Sequence, residues 1–426
     1  AWKQRARVGL GVVLAIVLVV FLLREPLSRA PFEPLRRLAS ISISDPTTSS
    51  RLFVWQGMLS ESRSNLLVGV GAEHIIQVFD RIYDPSVLTE EWFDRSHNSY
   101  IDYLVQYGVV GLLLYLLLVG ALIVRAYRNA LHGEKGFYFV ALAGVVYAVQ
   151  NFFMFDTSST LLLLFVLFAM VLSNSQISAT SLRQHGALSA LGVLGGLLIV
   201  LFMVPVVYRP LAANRAFVEG YLYHVADVPR AIASFDKGLR MGTHLNLEYG
   251  YQLEDMYTSR QYQLPGEASA LAYGFAANTL LDVYNRHPYD ARAALSLASV
   301  LDMVPQDVRP NLVLEAQMAD RARQLSPLRD EAWYLLVNTA ITAASMAKSE
   351  AEARAYFTDA TQALEEYAKQ VPTLTRPKLV LAQLYMTVGD VERATTLVDQ
   401  LRTEDPELLA SDPELVRAID AAGRVR

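Results

Sequence analysis

The sequence predicts an all-α protein in two parts, a multi-pass transmembrane helical domain over residues 1–210 and a soluble helical array over residues 212–423. Three observations lead there. Apolar residues make up 53% of the chain and crowd its first half into five runs, and a bilayer core asks for about 20 such residues per helix. After Tyr208 the pattern turns into successive shorter helices divided by Pro or by Gly-Asp turns. Four of those prolines, Pro288, Pro327, Pro372 and Pro406, recur 39, 45 and 34 positions apart, which points to an internal repeat with insertions.

The apolar runs cover residues 8–23, 107–124, 137–155, 158–172 and 186–208. Arg7 and Arg24 can snorkel at the ends of the first, which is slightly short. That run follows Lys3, Arg5 and Arg7 as a signal peptide would, but Leu23-Arg24-Glu25-Pro26 offers no small-residue cleavage site. A retained internal helix is expected, in a fragment lacking its N-terminal part. Basic residues before the first run, between the second and third (Arg125, Arg128, Lys135) and between the fourth and fifth (Arg183) set the orientation. The N-terminus is expected in the cytoplasm. The loop over residues 24–106 and the whole array are expected outside.

Charge and cysteine content exclude several classes. Of 37 basic and 42 acidic residues, 15 and 13 precede Arg209, leaving 22 against 29 in the second half. That mildly acidic half argues against a nucleic-acid partner. The absence of cysteine removes disulfides, thiolate catalysis and Cys-ligated zinc.

The long loop is patterned. Asp45-Pro46-Thr47-Thr48-Ser49-Ser50 offers caps for a helix from Arg51, with Leu52, Trp55, Leu59 and Phe53 on its apolar side. Gly69-Val70-Gly71 breaks it, a second helix is expected around His74 to Ile82, and an acidic stretch leads to His97. Only His74 and His97, of seven histidines, lie in this loop. His97 stands where loop meets apolar helix, with an ordinary pKa of about 6.5 suited to proton transfer. The plain alternative is that His97-Asn98 only caps that helix, Asn being a favoured cap. Arg51 is a candidate phosphate ligand, since guanidinium binds phosphate bidentately; its plain alternative is a solvated loop arginine like Arg63, Arg81 or Arg95. Asn151 and Asp156, at the outer end of the third run, are either functional polar groups or helix caps. Gly69-x-Gly71 lacks the strand and third Gly of a dinucleotide loop, and Glu73-His74 lacks a second histidine at metal-ligand spacing, so no metal site is expected.

In the second half, Leu381, Tyr385, Gly389, Asp390, Ala394 and Pro406 fall at the offsets of a tetratricopeptide repeat. Ala226-Asp227, Ala231 and Phe235 occupy the same frame in an earlier unit, and Trp333 and Leu336 open another. A tetratricopeptide-like array presents a concave surface for a partner, here an acceptor or a further protein.

The order Arg51-x-x-x-Trp55, Gly69-x-Gly71, then His97-Asn98 with Tyr100, Gly108 and Gly111 leading into an apolar helix resembles the O-antigen ligase and polymerase family of bacterial membrane proteins. The likeness covers roughly residues 1–175. It implies a metal-independent, inverting glycosyltransferase of the GT-C type in the bacterial inner membrane, needing no cofactor. The implied reaction moves a glycan from undecaprenyl diphosphate to a hydroxyl of lipid A core, another glycan or a protein. His97 matches the loop histidine held to activate the acceptor, and Arg51 the loop arginine that holds the diphosphate. Asn98, Gln106 and Asp156 are possible supports, although many relatives carry Glu where Gln106 stands. The rival from another class is a non-catalytic membrane scaffold whose repeats recruit partners for cell-envelope assembly.

Overall fold

A computed structural model describes residues 22–29, 31–33, 36, 46–88, 90–173, 186–259, 264, 266–304 and 311–423. The first expected span, residues 8–23, lies almost wholly outside them. Every regular element among the described residues is helical, in keeping with the predicted class.

The loop folds around two helices. α1 (Pro46–Glu61) opens on Pro46, at the first helical position, where the missing N–H costs nothing. It packs on α2 (Ile75–Ile82) through Val54 and Met58 against Ile75, Val78 and Phe79, all buried. Each such side chain contributes about 1.5–3 kcal/mol on burial. The apolar face expected for α1 is met in part: Phe53 and Trp55 pack half-buried against this cluster, whereas Leu52 and Leu59 are exposed and Val54 and Met58 are the fully buried residues. Apolar residues occur on both sides of this helix, so spacing alone did not single out the face that α2 covers.

α3 (Ser99–Leu131) carries the second apolar run, and α4 (Phe137–Gln150) and α5 (Ser158–Ser173) the third and fourth. α4 ends five residues before the expected 155, because the following turn is used elsewhere: the Ser99 amide donates to the carbonyls of Asn151 (2.8 Å) and Met154 (3.1 Å). Among the described residues, length and apolarity qualify two helices to cross a bilayer, α3 and the continuous stretch Gly192–Tyr223, while α4 and α5 are shorter. That stretch joins α6 (Gly186–Met203) to α7 (Arg209–Tyr223) through a π-helical turn, Val204–Tyr208. Pro205 and Pro210 each lack an amide, and the wider turn absorbs the lost bonds.

From α7 the chain is a succession of packed helices: α8 (Val228–Leu239), α9 (Asn246–Thr258), α10 (Gly266–Arg286), α11 (Ala291–Met303), α12 (Leu312–Leu325), α13 (Asp330–Ser345), α14 (Glu350–Gln370), α15 (Arg376–Val388), α16 (Val391–Glu404), α17 (Pro406–Ala410) and α18 (Pro413–Gly423). Nearly every helix touches the one before and the one after it in sequence. Asp227, Asp290 and Asp390 cap α8, α11 and α16 through their side chains. Ala231 and Ala394 are buried at helix contacts, and Gly389 ends α15 in the left-handed conformation that glycine adopts without strain. α10 and α14, at 21 residues each, are longer than the other helices of the array.

The array does not hang free. Arg329, just before α13, is fully buried against the loop: its guanidinium lies 3.5 Å from the Trp92 ring centre and 4.1 Å from that of Tyr83, and meets Asp80 Oδ1 at 3.4 Å. Removing one member of such a buried pair typically costs about 3–5 kcal/mol, because the other is left uncompensated.

Candidate active site

Three glycines make the site possible. Inside α3 the backbone breaks at Gly108 (φ 66°), which frees the Val105 and Gln106 carbonyls and the Val109 and Val110 amides. The segment 66–71 replaces the missing turn. Val70 and Gly71 donate to the Val105 and Gln106 carbonyls, both at 2.9 Å, while Val109 and Val110 donate to Leu66 and Leu67 at 2.8 and 3.4 Å. A Cβ on Gly69 would lie 2.3 Å from the Gln106 carbonyl carbon, and one on Gly108 2.2 Å from the Leu67 oxygen. Gly69 and Gly108 thus serve close backbone approach as well as turning.

Directly above this break, Asn98 is the N-cap of α3, its Oδ1 accepting from Tyr100 (3.0 Å) and Ile101 (3.3 Å). The capping reading holds for Asn98. It does not account for His97, which sits one residue earlier with φ 58°. Left-handed backbone is uncommon for a side-chain-bearing residue and persists where the surroundings enforce it. Glu73 (φ 62°) is the only other described non-glycine residue of this kind. The His97 imidazole is held edge-on between Phe93 and Phe155, at 5.6 and 5.5 Å, and its Nδ1 is buried without a hydrogen-bond partner. The Trp55 indole fastens the preceding turn by donating to the Ser96 carbonyl at 2.8 Å.

Beside Phe155 opens a small polar cavity of about 160 Å³, lined among others by Glu73, Arg95, Asp102, Gln106 and Asp156. Asp102 Oδ1 accepts from the Ser96 amide (2.9 Å) and hydroxyl (2.6 Å), while its Oδ2 is buried and unpartnered. Gln106 Oε1 accepts from the Glu73 amide at 2.7 Å, so this amide locks the loop rather than acting as an acid. Arg95 pairs with Glu73 at 2.7 Å. Burial works against the Arg95 charge, but the Glu73 carboxylate more than offsets it and holds the guanidinium pKa above its ordinary value. Asp156 accepts from Tyr147 (2.6 Å), Asn151 (3.1 Å) and Tyr115 (3.4 Å).

The expected residues are only partly gathered. Gln106 and Asp156 line the cavity, Asn98 is occupied as the cap of α3 and does not line it, and His97 adjoins it through Phe155. Arg51 does not line it; half-buried on α1, one turn before Trp55, it has no hydrogen bond or ion pair among the described residues. Arg95, set aside as a solvated arginine, is the one that does. Arg95, Glu73 and Asp102 were missed because each looks like an ordinary surface charge; in the fold Asp102 is buried and Arg95 half-buried, while Glu73 stays exposed at the cavity's rim and pairs with Arg95. His74 is exposed, with Nδ1 2.6 Å from the Ala72 oxygen.

Residues 1–116 match the O-antigen ligase family model. That segment contains α1, α2, His97 and every cavity residue named above except Phe155 and Asp156. It supports the family whose motifs Arg51-x-x-x-Trp55, Gly69-x-Gly71 and His97-Asn98 resemble. No curated protein and no solved structure matches the chain.

Proposed function

We propose that this chain takes part in moving an oligosaccharide or polysaccharide from undecaprenyl diphosphate to an acceptor hydroxyl at the outer face of the bacterial inner membrane, with His97 as general base. The observation that carries the reading is His97 itself: a strained, aromatic-clamped imidazole with an unpartnered nitrogen, at the head of an apolar helix, inside the segment that matches the O-antigen ligase family. A helix boundary does not call for that arrangement, since Asn98 already supplies the cap.

In the proposed step the acceptor oxygen attacks the anomeric carbon as His97 takes its proton. The bond from that carbon to the diphosphate oxygen breaks, the anomeric configuration inverts, and undecaprenyl diphosphate leaves with the electron pair. Arg51 is the proposed counter-charge for the leaving group. Its support is that it has no ion partner among the described residues, whereas Arg95 is already paired with Glu73, and cationic groups aimed at developing charge are among the largest catalytic effects. The apolar helices anchor the site in a multi-pass arrangement with the loop and array outside, and the array is of tetratricopeptide type.

The test is His97→Ala in the full-length protein. A general base typically contributes about 10²–10⁴-fold in rate, so transfer from undecaprenyl-diphosphate-linked O-antigen to lipid A core should fall by that order. Wild-type surface glycan from the variant in a strain lacking the native gene overturns the reading.

A further inference from the structure

We propose that Arg329, far away in the helical array, is a positioning residue for His97, so that the array acts as a strut for the active-site loop. This rests on the reading of His97 given above.

Residues 83–88 and 90–98 have no regular secondary structure, yet they must hold His97 in a left-handed conformation that backbone sterics disfavour. Such strain persists only if neighbours over-determine it. On one side they are α1, through Trp55 to the Ser96 carbonyl, and Phe79 of α2, whose ring lies 5.1 Å from Phe93. The other side is the array. Arg329 Nη1 donates to the Glu91 carbonyl at 2.9 Å and Nη2 to Asp80 Oδ1 at 3.4 Å, with the guanidinium face on Trp92. Trp92 packs in turn against a buried cluster of Ala294, Leu295, Ala322 and Ala332, with Arg292 lying 5.5 Å from its ring centre. The next residue, Phe93, is buried and forms one wall of the His97 clamp. Arg329 therefore grips the chain at Glu91 and Trp92, and Phe93 delivers that grip to the imidazole.

The geometry separates this role from acceptor recruitment. A recruiting array changes acceptor KM; a strut changes kcat, because it alters the placement of a group used in the transition state. A misplacement of about 1 Å can cost on the order of 100-fold. Lys at 329 keeps the charge and loses the planar stack and the two-pronged grip.

The experiment uses the full-length protein in nanodiscs, with undecaprenyl-diphosphate-linked O-antigen as donor and lipid A core as acceptor, comparing wild type, Arg329→Lys and His97→Ala. Expected for Arg329→Lys is a fall in kcat of about 10- to 100-fold with acceptor KM within about twofold. Amide exchange should accelerate over residues 88–97 and stay unchanged in α15. Trp92→Leu loosens the same grip from the loop side and carries the measurement if Arg329→Lys does not give a folded protein. An unchanged exchange rate over residues 88–97, or a rise in KM at constant kcat, overturns the strut. Full activity of His97→Ala defeats instead the assignment of His97 on which it rests, and the exchange measurement still decides whether Arg329 orders the loop.

Discussion

At Asp80 and Glu331 the contact between array and loop carries its own titration. Burial pushes the Asp80 carboxyl up to about 7; the Arg329 guanidinium draws it back, and Asp290 at the cap of α11 raises it further. Burial and the adjacent Asp330 likewise push Glu331 up to about 7, against the pull of Arg329. A carboxyl raised in the folded state stabilises fully below its unfolded value of about 4, and loses that contribution as pH rises through its folded value. Melting temperature in detergent is thus expected to fall between about pH 5 and pH 8, and Asp80→Asn, which stays neutral, should flatten the profile. A profile that rises over this window would count against the burial of these two groups. The same residues mark what sequence reading missed. Asp80, Glu91 and Arg329 look like three scattered surface charges, and nothing in their spacing says that residues 249 positions apart, as Asp80 and Arg329 are, meet in the dry interior.

For the elements, the decisive feature is the break in α3. Gly108 and Gly120 lie in one helix, but a Cβ at Gly120 meets nothing within 4 Å, while one at Gly108 strikes the Leu67 oxygen at a positive φ. Gly120→Ala should be neutral or stabilise by up to about 1 kcal/mol, from the helix propensity of alanine. Gly108→Ala should destabilise by about 1–3 kcal/mol from backbone strain alone, with the clash in addition. Thermal unfolding of the two variants side by side checks this, and equal melting temperatures would remove the break from the account. Helix starts and stops were legible at several points where local chemistry sets them: Asn98 caps α3, Asp227 and Asp390 cap α8 and α16, and Gly389 ends α15, whereas α1 begins at Pro46, five residues before the expected Arg51. The end of α4 was not legible, because it depends on the Ser99 amide arriving from another part of the chain.

Across the whole molecule, loop and array are joined by a buried arginine, two aromatic rings and a carboxylate, so they should open together. Hydrogen exchange is expected to report similar protection for α2, residues 90–96, α11 and α13, with α17 and α18 at the end of the array opening more readily. Protection of α11 and α13 without protection of residues 90–96 would mean that the two parts are independent.

The sequence by itself determined the all-helical class, the apolar character of the first half, the change of pattern after Tyr208, the caps and turns, and the singular position of His97-Asn98. These follow from short-range rules: periodicity, capping and the conformations open to Gly, Pro, Asn and Asp, all of which act within a few residues. Only the tertiary structure decided which face of α1 is buried, that Gly69 and Gly108 serve a broken helix mended by another segment, that Arg95 rather than Arg51 lines the cavity, and that Arg329 holds the loop. Each of these depends on groups far apart in the chain competing for the same buried space, where a charge or a carbonyl must find a partner, and the identity of that partner is written in no local pattern.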